Sequence, residues 1–157
     1  MRRFAEDTSV PVARSRAAID ELLCTWGCSG LSWADDFDHG RAALRFTWTH
    51  EGTAYLARFM LAVPEDDQLK KDMGKRWPTA KQLEDYREQR RRQSYRVLLL
   101  WLKAALNAVE AGLVSAAAVF LPWLEDAQGQ TVAEVALPHI AELMRGSARR
   151  LLPEAKR

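Results

Sequence analysis

The residues most able to do chemistry are five arginines in one charged segment, the arginine cluster. Arg90, Arg91 and Arg92 are consecutive, and Arg87 and Arg96 lie about one helical turn to either side. Helix positions three and four apart share a face, so the cluster could follow a phosphate backbone, with Tyr86, Tyr95 and Trp77 as stacking surfaces. The candidate partner- or nucleic-acid-binding residues are Lys75, Arg76, Trp77, Arg87, Arg90, Arg91, Arg92 and Arg96.

The same spacing also fits a solvated helix that pairs its own charges. Three pairs have this spacing, namely Glu84–Arg87, Lys81–Asp85 and Glu88–Arg92. Each such pair stabilises a helix by a few tenths of a kcal/mol. On this interpretation the cluster is plain surface.

The distribution of charge along the chain allows a third interpretation, a homodimer. Residues 70–103 carry eleven basic and four acidic side chains, a net charge of +7. Residues 35–67 and 104–146 each have a net charge of −4. A basic segment could therefore dock on an acidic segment of a second copy.

Side chains suited to catalysis or metal binding form only one small group. Asp35, Asp36, Asp38 and His39 lie close together, and carboxylates with an imidazole can bind a divalent cation. Acidic residues beside a glycine are also typical of turns, so cation binding by this group stays open. The phosphate-loop, dinucleotide, nucleophile-elbow and zinc-protease motifs are absent. We expect a protein that is not an enzyme and that needs no cofactor.

Composition sets the class of protein. The chain has 157 residues, 48% apolar and 28% charged, with a net charge of +2. This excludes disordered and collagen-like proteins and a uniformly basic DNA-packing protein. Cys24 and Cys28 are spaced as C-x3-C rather than as a redox or zinc motif. With neither a signal peptide nor a long enough apolar run, the expected location is the cytoplasm of a host cell, with no membrane partner.

The elements that must position the arginine cluster follow from the hydrophobic pattern. A helix is expected from Pro11 to Gly27. Apolar residues then alternate within 30–35, 41–49 and 53–63, which predicts a three-stranded antiparallel meander with turns between the strands.

A long helix is expected to carry the cluster. Thr79 and Gln82 have capping-box spacing, and neither glycine nor proline occurs again until Gly112. The first half is highly charged and should project, whereas the second half is apolar almost all round and should lie in the core. The preceding residues 64–78 are polar and are predicted to be a mobile loop.

Two shorter helices complete the predicted fold. One is stopped by Pro122. The other is expected to start at a capping box of Thr131 and Glu134, to kink at Pro138 and to end at Gly146. The fold class is therefore α+β, with an N-terminal helix, the meander, the long helix and two C-terminal helices. We expect one domain over residues 1–157, with an arm at 1–10 and a tail at 147–157.

The six tryptophans divide into two groups. Those within apolar stripes are expected in the core, and those flanked by proline and polar residues are expected to be exposed. The core candidates are Trp26, Trp33, Trp48 and Trp101, and the exposed candidates are Trp77 and Trp123.

Several stretches resemble a family of small uncharacterised phage and prophage proteins. They are the start at residues 3–17, the helix end at 101–112, the Leu124–Glu134 stretch and the closing Leu-Leu-Pro at 151–153. A family turn of Pro-Asp-Gly is replaced here within residues 125–129. The resemblance implies a phage origin. It favours a non-catalytic protein that modulates or inhibits a host complex, such as a defence system, through its basic helix. The alternative is a DNA- or RNA-binding accessory of phage recombination or replication.

Overall fold

A computed structural model describes residues 5–36, 38–62, 65–74 and 77–147, and it has the predicted α+β architecture. Five helices and three strands follow one another in the order α1, β1, β2, β3, α2, α3, α4, α5. Their bounds are α1 Val12–Trp26, β1 Gly30–Asp36, β2 Arg41–His50, β3 Thr53–Ala62, α2 Asp66–Met73, α3 Ala80–Glu110, α4 Ala116–Phe120 and α5 Val132–Ser147.

The strands form the predicted antiparallel meander in the order β1-β2-β3. Glu51 and Gly52 join β2 to β3 with φ of 50° and 78°. Two successive positive φ values suit a two-residue hairpin turn whose twist matches that of the strands. Because β2 is central, β3 is an edge strand. Val63, which was predicted to belong to β3, lies outside the described residues.

One face of the sheet forms the core with α1 and α3. Its inward residues on β2 are Ala42, Leu44, Phe46 and Trp48, all buried as their alternation predicts. Helix α1 contributes the fully buried Ile19 and Leu23, and it ends where predicted because Gly27 adopts a φ of 100°.

Helix α3 begins and ends as predicted. The Thr79 hydroxyl accepts a hydrogen bond from the backbone N–H of Gln82. The Gln82 side-chain oxygen accepts one from the backbone N–H of Thr79, so the capping box is formed. Its second half is buried through Leu98, Leu99 and Leu102.

Two predictions for the segment before and at the start of α3 are wrong. Residues 64–78 are not simply a loop, because residues 66–73 form α2. Leu69 is fully buried, and this one buried side chain anchors the otherwise mostly polar helix α2. The charged half of α3 does not project freely either: α2 packs against it, and Gln89 donates to the carbonyls of Glu6 and Thr8 in the N-terminal arm.

The segment between α4 and α5 lies at the β3 edge, whereas α4 itself packs against α3. Helix α4 is followed by a short 3-10 turn at Leu121–Trp123 that contains Pro122. Helix α5 starts at the predicted capping box, where the Thr131 amide donates to Glu134 over 2.7 Å. Helix α5 does not end at Gly146 as predicted, because it continues to Ser147, the last residue that the structure describes.

Candidate protein-binding surface

Three of the five clustered arginines pair with the protein's own carboxylates. Arg87 bonds to both Glu84 and Asp66, the second from α2. Arg91 and Arg92 both approach Glu88, with N–O distances of 3.6 and 3.1 Å. The Glu84–Arg87 and Glu88–Arg92 pairs predicted from the helical spacing therefore form, whereas the predicted Lys81–Asp85 pair, also between described residues, does not. The pairs that form neutralise much of the cluster.

The electrostatics of Arg87 reflect this pairing. Partial burial lowers the pKa of its guanidinium, but the hydrogen bond and charge of Asp66, together with Glu84, outweigh burial and raise the pKa. Arg87 is thus a structural link between α2 and α3 and a poor candidate for a phosphate contact.

Arg90 and Arg96 differ from the other three. Within the described residues neither lies within 4 Å of a carboxylate oxygen. Arg90 donates through Nη1 to the amide oxygen of Gln93, and its buried Nε has no hydrogen-bond partner. The positive charges of these two guanidiniums are therefore the ones in the cluster that a binding partner could neutralise.

The other predicted binding residues are dispersed. Trp77 is 85% exposed, as expected. Lys75 and Arg76 lie outside the described residues. Tyr95, predicted as a stacking surface, is instead 3% exposed and packs on Trp33, and burial raises the pKa of its hydroxyl.

Trp123 was predicted to be an exposed contact residue, and this prediction is wrong. Its ring lies 4.6 Å from that of Trp101 and 5.0 Å from that of Phe59. Proline and acidic neighbours suggested exposure, but the 3-10 turn directs this indole against the core.

An open apolar groove of about 450 Å³ lies between α3 and β3. One side of the groove is formed by four consecutive residues of the edge strand, Phe59, Met60, Leu61 and Ala62. The α3 side and the end of the groove consist of Arg90, Gln93, Ser94, Val97, Leu98, Trp101 and Trp123. Apolar walls with a few polar groups at one end are typical of ligand and peptide sites.

The outer face of the sheet carries a second charged arrangement near this edge. Arg45 and Arg58 are directly opposite each other on β2 and β3. The Glu125 carboxylate, 9% exposed, lies 2.9 Å from Arg45 Nε and 3.3 Å from Arg58 Nε. Arg58 also bonds to Glu134 over 2.6 Å. This cluster fastens the segment before α5 to the sheet.

The acidic turn group does not converge on a common point. Asp35 pairs with Arg16 at 3.0 Å, and Asp36 bonds to His39 Nδ1 at 2.9 Å. The His39 side chain lowers the pKa of Asp36 through that hydrogen bond. Over the described ranges, no group of three or more His, Cys, Asp or Glu residues is arranged to hold a metal ion.

The groove and the Glu125 cluster were both missed by sequence reasoning. Eighty residues separate Arg45 from Glu125, and no local pattern links them. The position of β3 at the edge of a three-stranded meander was the one available signal, because a last strand has only one neighbour.

Three comparisons, with protein-family models, with curated proteins and with solved structures, found no match for this chain. The resemblance to phage proteins therefore stays a prediction. Within the part of the chain that the structure covers, each helix is too short or too polar to cross a membrane.

Proposed function

We propose that this chain is a non-catalytic, phage-derived binding protein that modulates or inhibits a host protein complex, contacting it through the outer surface of α3. The supporting observation is the pairing of Arg87, Arg91 and Arg92 with acidic residues. A mosaic of paired charges beside an apolar groove has the character of a protein interface, in which arginine and tryptophan dominate the binding energy.

The pairing also argues against the alternative of nucleic-acid binding. Binding along a phosphate backbone draws on several unpaired cations, and each contact adds to the salt dependence. Here the carboxylates of Glu84, Glu88 and Asp66 stand among the arginines and would repel phosphates.

The test compares two double variants for capture of a partner from nuclease-treated host lysate. Arg90→Ala with Arg96→Ala removes the two arginines without carboxylate partners, and we expect it to abolish capture. Lys81→Ala with Lys103→Ala removes two exposed charges from the same helix and should leave capture unchanged. Equal capture by both double variants would refute the role of the arginines.

Mobility-shift assays with single- and double-stranded DNA and with RNA provide the complementary test. We expect no binding at low salt. Binding that falls by orders of magnitude as salt rises would assign the surface to nucleic acid and reject the proposal.

A further inference from the structure

The outer edge of β3 presents main-chain groups for pairing. The Leu56 carbonyl accepts the Glu125 amide over 2.9 Å, and Ala57 forms an isolated antiparallel bridge with Leu124. The chain thus begins a fourth strand on this edge and then leaves it. Because alternate residues of a strand point the same way, the N–H and C=O of Met60 and Ala62 also point away from β2.

These groups have no hydrogen-bonding partner among the described residues. Met60 is 49% exposed, so the edge is accessible at this point. Proteins usually block an open edge with proline, a charge or a covering element, because it invites another strand.

The groove lies directly beside this stretch of edge. Its apolar walls, from Phe59 and Leu61 to Val97 and Trp101, would receive side chains that point inward from an added strand. Side chains of a strand alternate, so every second residue of the incoming segment would enter the groove.

The charge at one end of the groove indicates that a bound segment would carry an acidic side chain there. Arg90 lines this end of the groove, donates to Gln93 through Nη1 and has no carboxylate oxygen within 4 Å among the described residues. A guanidinium carries a full charge, and a carboxylate is its strongest hydrogen-bonding partner.

We propose that an extended segment of the partner protein adds to β3 as a fourth strand at Met60 and Ala62. Its alternate apolar side chains occupy the groove, and an aspartate or glutamate binds Arg90. This inference rests on the proposed function, since it names the part of the partner that is bound.

The probe is a displayed library of random linear peptides selected on the full chain, followed by a synthetic peptide of the most enriched sequence. We expect peptides with alternating apolar residues, one acidic residue and little proline. Hydrogen exchange of wild-type protein should show slowed Met60 and Ala62 amides when the peptide is bound.

Met60→Pro removes the outward N–H without removing a bond to β2, a position at which proline is tolerated. We expect it to weaken peptide binding roughly five- to tenfold, the effect of losing one main-chain hydrogen bond. Met60→Thr is the matched control, because it loses the same side chain but keeps the N–H, and it should bind as wild type does.

Several results would overturn the proposal. These are failure to select any peptide, enriched peptides with helical spacing, unprotected Met60 and Ala62 amides, or equal binding to Met60→Pro. A dimer of the chain alone that Met60→Pro disrupts would assign the edge to a second copy. If Met60→Pro retained lysate capture while the Arg90/Arg96 double variant lost it, the proposed function would stand and the added strand would be rejected.

Discussion

At the scale of single residues, Glu125 stabilises the sheet by lying between Arg45 and Arg58. Like charges opposite each other on neighbouring strands repel, and these two guanidiniums are partly shielded from water. Glu125 lies against both and offsets the repulsion. The carboxylate thereby makes the hairpin between β2 and β3 depend on a segment eighty residues away.

Glu125→Gln should therefore destabilise the protein. The variant leaves two adjacent arginines without their shared carboxylate, at a cost of about 2 kcal/mol, between the values for exposed and buried ion pairs. Urea unfolding would measure the change. Glu142→Gln, an exposed carboxylate of α5, is the control and should change stability little. Equal midpoints for the two variants would contradict the bridging role.

At the scale of elements, helix starts were predictable because their signals are local. A capping box needs only residues three apart, and both boxes, at Thr79 and at Thr131, form as predicted. Helix α2 was missed because one buried leucine among polar residues does not produce a helical pattern of hydrophobic residues. Its stability comes from α3, which the local sequence does not reveal.

The capping box of α5 gives a prediction on pH. The pKa of Glu134 is lowered in the folded protein, mainly by the hydrogen bond from the backbone amide of Thr131. The Thr131 hydroxyl and the charge of Arg58 lower it further. A lowered folded-state pKa contributes stability above the ordinary value of about 4.3, and this is lost as pH falls through the folded-state pKa.

Glu134→Gln should consequently lower the thermal midpoint at neutral pH and have a smaller effect in acid. Thermal unfolding of wild type and variant over a series of pH values from about 7 down to about 2 checks this, since the stabilisation declines as the carboxylate takes up a proton. Glu142→Gln controls for loss of one negative charge on the same helix. A difference in midpoint that does not change with pH would count against a contribution from the charge of Glu134.

At the scale of the whole molecule, α4 closes the core with a single ring. Phe120 is fully buried and contacts five aromatic side chains drawn from α1, β2, β3 and α3. A helix of only five residues is therefore held in place by packing rather than by its own propensity.

Phe120→Ala should destabilise the protein by about 4 kcal/mol, because it leaves a cavity among rigid rings. Chemical denaturation would measure the loss in the free energy of unfolding. Leu113→Ala is the control, since Leu113 is 81% exposed and its loss should cost less than about 0.5 kcal/mol. A Phe120→Ala protein as stable as the Leu113→Ala protein would mean that the core tolerates the void.

The sequence by itself determined the α+β class, the meander and its inward face, and most helix ends. These depend on hydrophobic period, capping residues and glycine at positive φ, which act over a few neighbouring positions. It also located the arginine cluster and its favourable pairs.

Tertiary structure alone decided which charges remain available and where a partner could bind. Asp66 reaches Arg87 from α2, Glu125 joins two strands, and Trp123 turns inward to form the end of a groove. Each of these contacts joins residues far apart in the chain. Their energies depend on distance and burial in space, which spacing along the sequence does not specify.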